Sequence, residues 1–91
     1  MTIPETLKIG AIIWKIRQVE PSEIDCDTVS SGSTSHETQT ILINRYLSPE
    51  MKEQTLIHEI LHAVNLQMEH NAVEMLATIL HQVLSENELT L

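Results

Sequence analysis

The hydrophobic period of this chain changes once, near residue 47, and that change limits its fold more than any other feature. Upstream, β-branched residues cluster. Lys8 to Val19 carries Ile9, Ile12, Ile13, Ile16 and Val19, with Gly10-Ala11 between two short runs. That arrangement predicts a β-hairpin whose longer arm runs from Ile12 to Val19. Pro21-Ser22-Glu23 ends the arm. Residues 22 to 34 are polar and close on Ser30-Ser31-Gly32-Ser33-Thr34, a loop composition. Gln39 to Ile43 reads as a further strand, and Ser33 to Ser35 is a candidate partner for it through a turn at His36-Glu37-Thr38.

Downstream the spacing becomes helical. Ser48-Pro49-Glu50 is a start signal: a hydroxyl for the orphan N–H groups, a proline whose missing N–H costs nothing there, and an acid at the positive end. Met51, Ile57, Ile60, Leu61, Val64 and Met68 form one apolar stripe. Ala72, Val73, Leu76, Ile79, Leu80, Val83 and Leu84 form a second, with a break over Gln67 to Asn71 and Asn71 as its candidate N-cap. Ser85 to Leu91 is a polar tail. Strands followed by helices predict an α+β fold: a small antiparallel or mixed sheet of roughly three or four strands, then two helices.

Ninety-one residues suffice for one domain, spanning 1–91. With one Trp, one Tyr and no Phe, its core has to be aliphatic. The formal net charge of −8 repels phosphate backbones and anionic lipid, which argues against nucleic-acid and membrane partners. No stretch approaches the roughly 18 apolar residues of a membrane span. The opening residues Met1 to Glu5 show neither a basic nor an apolar leader region, so the expected location is the cytoplasm. Cys26, the one cysteine, lies between Asp25 and Asp27, whose charges raise a thiol pKa and argue against a nucleophile. Capping a metal is the other role open to it.

The chemistry is concentrated in His58-Glu59-Ile60-Leu61-His62. Histidines at i and i+4 share one helical face and bring two imidazoles within reach of one ion. The intervening Glu59 stands beside the ion, where it can take a proton from a metal-bound water. At this composition the pattern is expected by chance on the order of 0.03 times. The plainer alternative is a pair of surface histidines.

A catalytic zinc site needs a third protein ligand and a position left for water. Glu69 and His70 are nearest in sequence, but Glu69 lies about 10 Å beyond His62 along a continuous helix. A ligand from a returning second helix is easier to place. That helix has a polar line of Glu74, Thr78, His81 and Ser85, so Glu74 is favoured over Glu69 or His70. His81, on the same line, is a candidate donor to a substrate carbonyl or developing oxyanion; an interhelical or surface histidine is the plainer reading. Asn65, on the His58 face, is a candidate for orienting a histidine, and His36 reads as a turn residue.

The segment Thr55 to Ala63, preceded by Gln39 to Ile43 and followed by Val73-Glu74-Met75-Leu76-Ala77, resembles the small phage and prophage metallopeptidase-like proteins. These are similar to minigluzincins and, more loosely, to ImmA/IrrE-type metallo-endopeptidases. The resemblance covers roughly residues 7 to 85. It implies a zincin-like half-domain with His58 and His62 as zinc ligands, Glu59 as general base and Glu74 as third ligand. It also implies that Gln39 to Ile43 lines the cleft and receives an extended peptide by β-augmentation. Relatives often carry Tyr where this chain has His81, and larger gluzincins build a far cleft wall in a second subdomain.

The expected function is zinc-dependent hydrolysis of a peptide or protein substrate, with Glu59 assisting the attack of zinc-bound water. Three alternatives stand beside it. One is a metal-binding or regulatory module without catalysis. Another is a latent peptidase held by its own terminal segment through Glu86, Glu88 and the terminal carboxylate. The last is an interaction protein, which a chain without an aromatic cluster supports least.

Overall fold

The computed structural model describes residues 3–24, 31–64 and 69–86. In chain order the elements are β1 (Thr6–Ile9), β2 (Ile12–Val19), the single turn α1 (Pro21–Ile24), β3 (Gly32–Ser35), β4 (Thr40–Asn44), α2 (Pro49–Val64) and α3 (His70–Glu86). This is the α+β order expected from the change of period. The strands form one mixed sheet in the order β1-β2-β4-β3.

The β1–β2 hairpin turns at Gly10-Ala11, and Gly10 takes φ +63° with nothing near its Cα that a side chain would meet. Glycine is needed there for its conformation, as tight hairpin turns demand. β2 and β4 are parallel, in register from Lys15 opposite Thr40 to Val19 opposite Asn44. Parallel neighbours need a crossover, which residues 20–39 provide. β3 returns antiparallel to β4, with Gly32 opposite Ile43 and Ser35 opposite Thr40. The turn between them has Gln39 at φ 51°, so β4 starts at Thr40 and not at Gln39.

One face of the sheet carries the core. Trp14 and Ile16 from β2 and Ile41 and Ile43 from β4 point the same way, as period-2 alternation requires, and Leu56 of α2 closes over them. Leu7, Ile9, Leu47, Ile60 and Ala63 pack around this cluster. Each fully buried aliphatic side chain contributes roughly 1.5–3 kcal/mol. Lys15 and Arg17 alternate outward and leave the opposite face to solvent.

Asn44 sets the exit from β4. It is buried, its Oδ1 accepts from the Tyr46 N–H at 2.9 Å, and its own N–H donates to the Ser31 carbonyl at 2.8 Å. α2 then starts where Ser48 predicts. The Ser48 Oγ accepts from the Met51 N–H at 3.2 Å and its carbonyl from the Lys52 N–H at 2.9 Å.

Several expectations need correction. Pro21 to Ile24 is a helical turn and not an irregular loop, closed by the Glu20 N–H donating to Glu23 Oε2 at 3.1 Å. The cap of α3 is Glu69, not Asn71. Its carbonyl accepts from Val73 at 3.1 Å and its Oε1 from Asn71 at 3.2 Å, so the helix begins three residues before Val73. The apolar stripes also differ. α2 lies between the sheet and α3, so its buried positions spread over two faces (Thr55, Leu56, Ile57 and Glu59), while Met51 and Val64 stay exposed. α3 is outermost and buries Val73 and Ala77, one turn apart. Met75, Leu76, Ile79, Leu80 and Val83 remain exposed. Finally, β4 is paired on both sides, so it cannot receive a peptide strand; β3 is the sheet edge beside α2. The tail expected from Ser85 to Leu91 is helical through Glu86, where α3 ends; residues 87–91 and the expectations for Cys26 and Asn65 fall outside the described residues.

Candidate metal centre

Three elements meet at the site. α2 brings His58, Glu59 and His62, β3 brings Gly32 and Thr34, and α3 brings His70 and Glu74. Helical geometry alone stacks the two α2 histidines one turn apart. Their Nε2 atoms stand 3.1 Å from each other, with ring centroids 4.8 Å apart. A tetrahedral ion with arms of about 2.05 Å has edges of about 3.3 Å, so the pair is spaced as two zinc ligands would be.

α3 packs antiparallel to α2 and delivers a third imidazole. The His70 ring lies 5.0 Å from that of His58 and 5.9 Å from that of His62. One ligand atom from each of the three histidines lies within 4.8 Å of the others. Glu74, one turn further along α3, places Oε2 2.9 Å from His58 Nδ1 and leaves its carboxylate half-exposed. Thus α3 presents two donors to the site, the favoured Glu74 and the less favoured His70. The latter arrives because Glu69 caps α3 and makes His70 its first residue.

Glu59 is buried on the inner side. Its Oε2 lies 4.0 Å from His58 Nε2, and its Oε1 accepts from the Thr34 hydroxyl at 2.8 Å. The same hydroxyl stands 3.1 Å from the Glu59 carbonyl, but its single proton favours the shorter contact with the carboxylate. Burial pushes the Glu59 carboxyl above its ordinary range, against the Thr34 hydrogen bond that lowers it. Burial also holds His58 and His62 below the usual histidine range. The other imidazoles press the same way, while Glu74 opposes at His58. Neutral imidazoles are the form that binds metal.

Gly32 makes this contact between strand and helix possible. A Cβ there would stand 2.7 Å from the Leu42 carbonyl oxygen, 2.8 Å from Thr55 Cγ2 and 3.3 Å from Glu59 Cγ. In front of these groups is a cavity of about 240 Å³ bordered by Gly32, Gln54, His58, Glu59, His70 and Glu74.

His81 is placed elsewhere. Its Nε2 lies 2.9 Å from Glu53 Oε1 with both side chains mostly buried, and it does not border the cavity. That hydrogen bond holds the Glu53 carboxyl below the usual carboxylate range. His36 sits in the β3–β4 turn as expected, edge-on to Trp14 at 5.3 Å, with Nε2 3.4 Å from the Ala63 carbonyl at the end of α2. Neither Gly32 nor Thr34 stands out in the sequence as a site residue, because both lie in a serine-rich stretch. The available signal is the candidate strand Ser33 to Ser35, which contains Thr34.

A model of the Peptidase M78 family, described as the IrrE N-terminal-like domain, matches residues 19–82. No curated protein and no solved structure matches the chain. The matched span includes every residue named at the site. No helix among the described residues is long and apolar enough to cross a membrane.

Proposed function

The chain belongs to the Peptidase M78 family of IrrE N-terminal-like domains, and we propose that it is a zinc-dependent peptidase acting on peptide or protein substrates in the cytoplasm. The observation that carries this reading is the convergence of the His58 and His62 Nε2 atoms at 3.1 Å beside a buried glutamate.

In this reading His58 and His62 would hold the ion through their facing Nε2 atoms, and Glu74 would be the third ligand once its carboxylate turns from His58 Nδ1 toward them. A zinc ion there supplies Lewis acidity to the scissile carbonyl and to a water molecule. Glu59 is the general base. Its raised proton affinity suits it to take a proton from the water and return it to the leaving amine. Thr34 fixes the carboxylate so that Oε2 faces the histidines. The edge of β3 gives an extended peptide main-chain partners beside Glu59, in place of the inner strand β4. The His81–Glu53 pair acts through position: it ties α3 to α2 and so sets where Glu74 stands.

Elemental analysis of untagged protein purified without chelator tests the metal. About one zinc per chain, lost in His62→Ala, is expected. No metal in either protein after zinc is restored would end the peptidase reading. Zinc that is held while no peptide is cleaved in a Glu59-dependent way would favour a metal-binding module instead.

A further inference from the structure

We propose that the exposed apolar side of α3 is a homodimer interface, on which α3 of a second copy of this chain lies antiparallel about a two-fold axis. This stands apart from the metal centre and does not depend on it.

α3 buries Val73 and Ala77 but leaves Met75, Leu76, Ile79, Leu80 and Val83 between 40% and 69% exposed. Together these five side chains make a patch on the order of 450 Å², the size of the largest apolar patch on a typical monomer. The sequence holds no Lys, Arg, Asp or Glu between Glu74 and Glu86, and His81 within that stretch is turned onto Glu53. Two chains that each carry a formal charge of −8 repel one another, so they meet most easily through a face without carboxylates. The outer side of α3 is such a face.

The spacing of the residues selects the occupant. Ala72, Leu76, Ile79 and Val83 stand 4, 3 and 4 residues apart, which forms the seam of a helix pair. That spacing reads the same in both directions. Reversing α3 about the point midway between Ala77 and Thr78 sets Leu76 opposite Ile79, Met75 opposite Leu80 and Ala72 opposite Val83, so each apolar group meets another. A two-fold interface requires this self-complementarity of a single surface. Two patches pressed together remove about 900 Å² of apolar surface from water, near the low end of specific interfaces, which fits a micromolar pair and not an obligate one.

Sedimentation velocity of the full chain from about 1 to about 500 µM tests this, since a micromolar dimer forms within that range. A monomer–dimer equilibrium is expected. It should tighten as NaCl rises from about 0.05 to about 0.5 M, because salt screens the repulsion between the two acidic chains. Leu76→Glu and Ile79→Lys should each weaken it by about a hundredfold or more, because each leaves unpaired charges in the seam. Far-UV circular dichroism of both variants should match the wild type, since both positions are exposed in the monomer. Mixing the two variants in equal amounts should restore the dimer. The carboxylate introduced at 76 in one copy then meets the ammonium introduced at 79 in the other, while Ile79 of the first still meets Leu76 of the second. A wild type that stays monomeric throughout would overturn the proposal and leave the face to a different partner. A dimer indifferent to both substitutions would place the interface elsewhere. Variants that dissociate but do not recombine would overturn the antiparallel pairing.

Discussion

Thr34 on β3 donates its hydroxyl to Glu59 on α2 across 2.8 Å, joining the sheet edge to a carboxylate buried beside the paired histidines. The two residues are 25 positions apart, and no local pattern links them. The contact gives a buried carboxylate a partner and fixes its direction. It also places the strand best able to hold a peptide beside the group best able to move a proton.

Thr34→Val should therefore destabilise the fold by about 1–3 kcal/mol, since it leaves a buried carboxylate oxygen without its donor. Thr34→Ser, which keeps the hydroxyl, should recover most of the loss. Denaturant unfolding of the three proteins checks this, and equal stability of all three would show that the hydroxyl is not used.

Gly32→Ala and Gly10→Ala should separate two roles of glycine. A methyl group at residue 32 meets backbone and side-chain atoms at under 3 Å. It should cost about 1–3 kcal/mol through overpacking and displace Glu59 from the histidines. At residue 10 the space is open and only the positive φ is strained, for about 1–2 kcal/mol. Unfolding together with zinc titration should show both variants destabilised but weaker zinc binding only in Gly32→Ala.

Glu59→Gln should keep zinc and lose hydrolysis. It should also change the pH dependence of stability. Burial raises the folded-state pKa of Glu59 above its ordinary value of 4.5, so its contribution to stability is present below that value and is lost as pH rises. The amide does not suffer this loss. The variant should gain stability over the wild type at neutral pH, and the gain should shrink as pH falls toward 4.5. Melting temperatures across that range decide it.

His58 and His62 titrate with the opposite consequence. Their folded-state pKa values lie below the ordinary 6.5, so the unfolded chain binds more protons as pH falls through that value. Metal-free protein should lose stability below about pH 6.5. The loss should be smaller in a His58→Ala/His62→Ala double variant. Zinc binding should weaken over the same range, because protons compete for the imidazoles.

His81→Ala should weaken zinc binding without touching the cavity, because the Glu53 pair helps seat α3 on α2. A stability loss of about 1 kcal/mol is expected. Zinc affinity unchanged beside that loss would show that α3 holds its place without the pair.

What could be read from residue order alone is what short-range physics controls. Gly10-Ala11 between β-branched runs specifies a hairpin, and Ser48-Pro49 starts a helix whatever lies around it. His58 and His62 face one way because 3.6 residues make a turn. The pairing of Ser33 to Ser35 with β4 was visible too, since the intervening turn is short. Each follows from interactions within a few residues, so each survives without knowledge of the rest of the chain.

What residue order could not reveal depends on distances closed across the sequence. Thr34 and Gly32 matter because β3 packs against α2, and their composition is that of a loop. β4 lies inside the sheet because β2 pairs with it in parallel across a 20-residue crossover. His70 reaches the other histidines because α3 starts at the Glu69 cap and packs antiparallel to α2, and His81 meets Glu53 for the same reason. A one-residue shift in where α3 starts would turn a different face of it toward α2. The second helix's donors are therefore decided by packing, while the histidine pair on the first is decided by the helix itself.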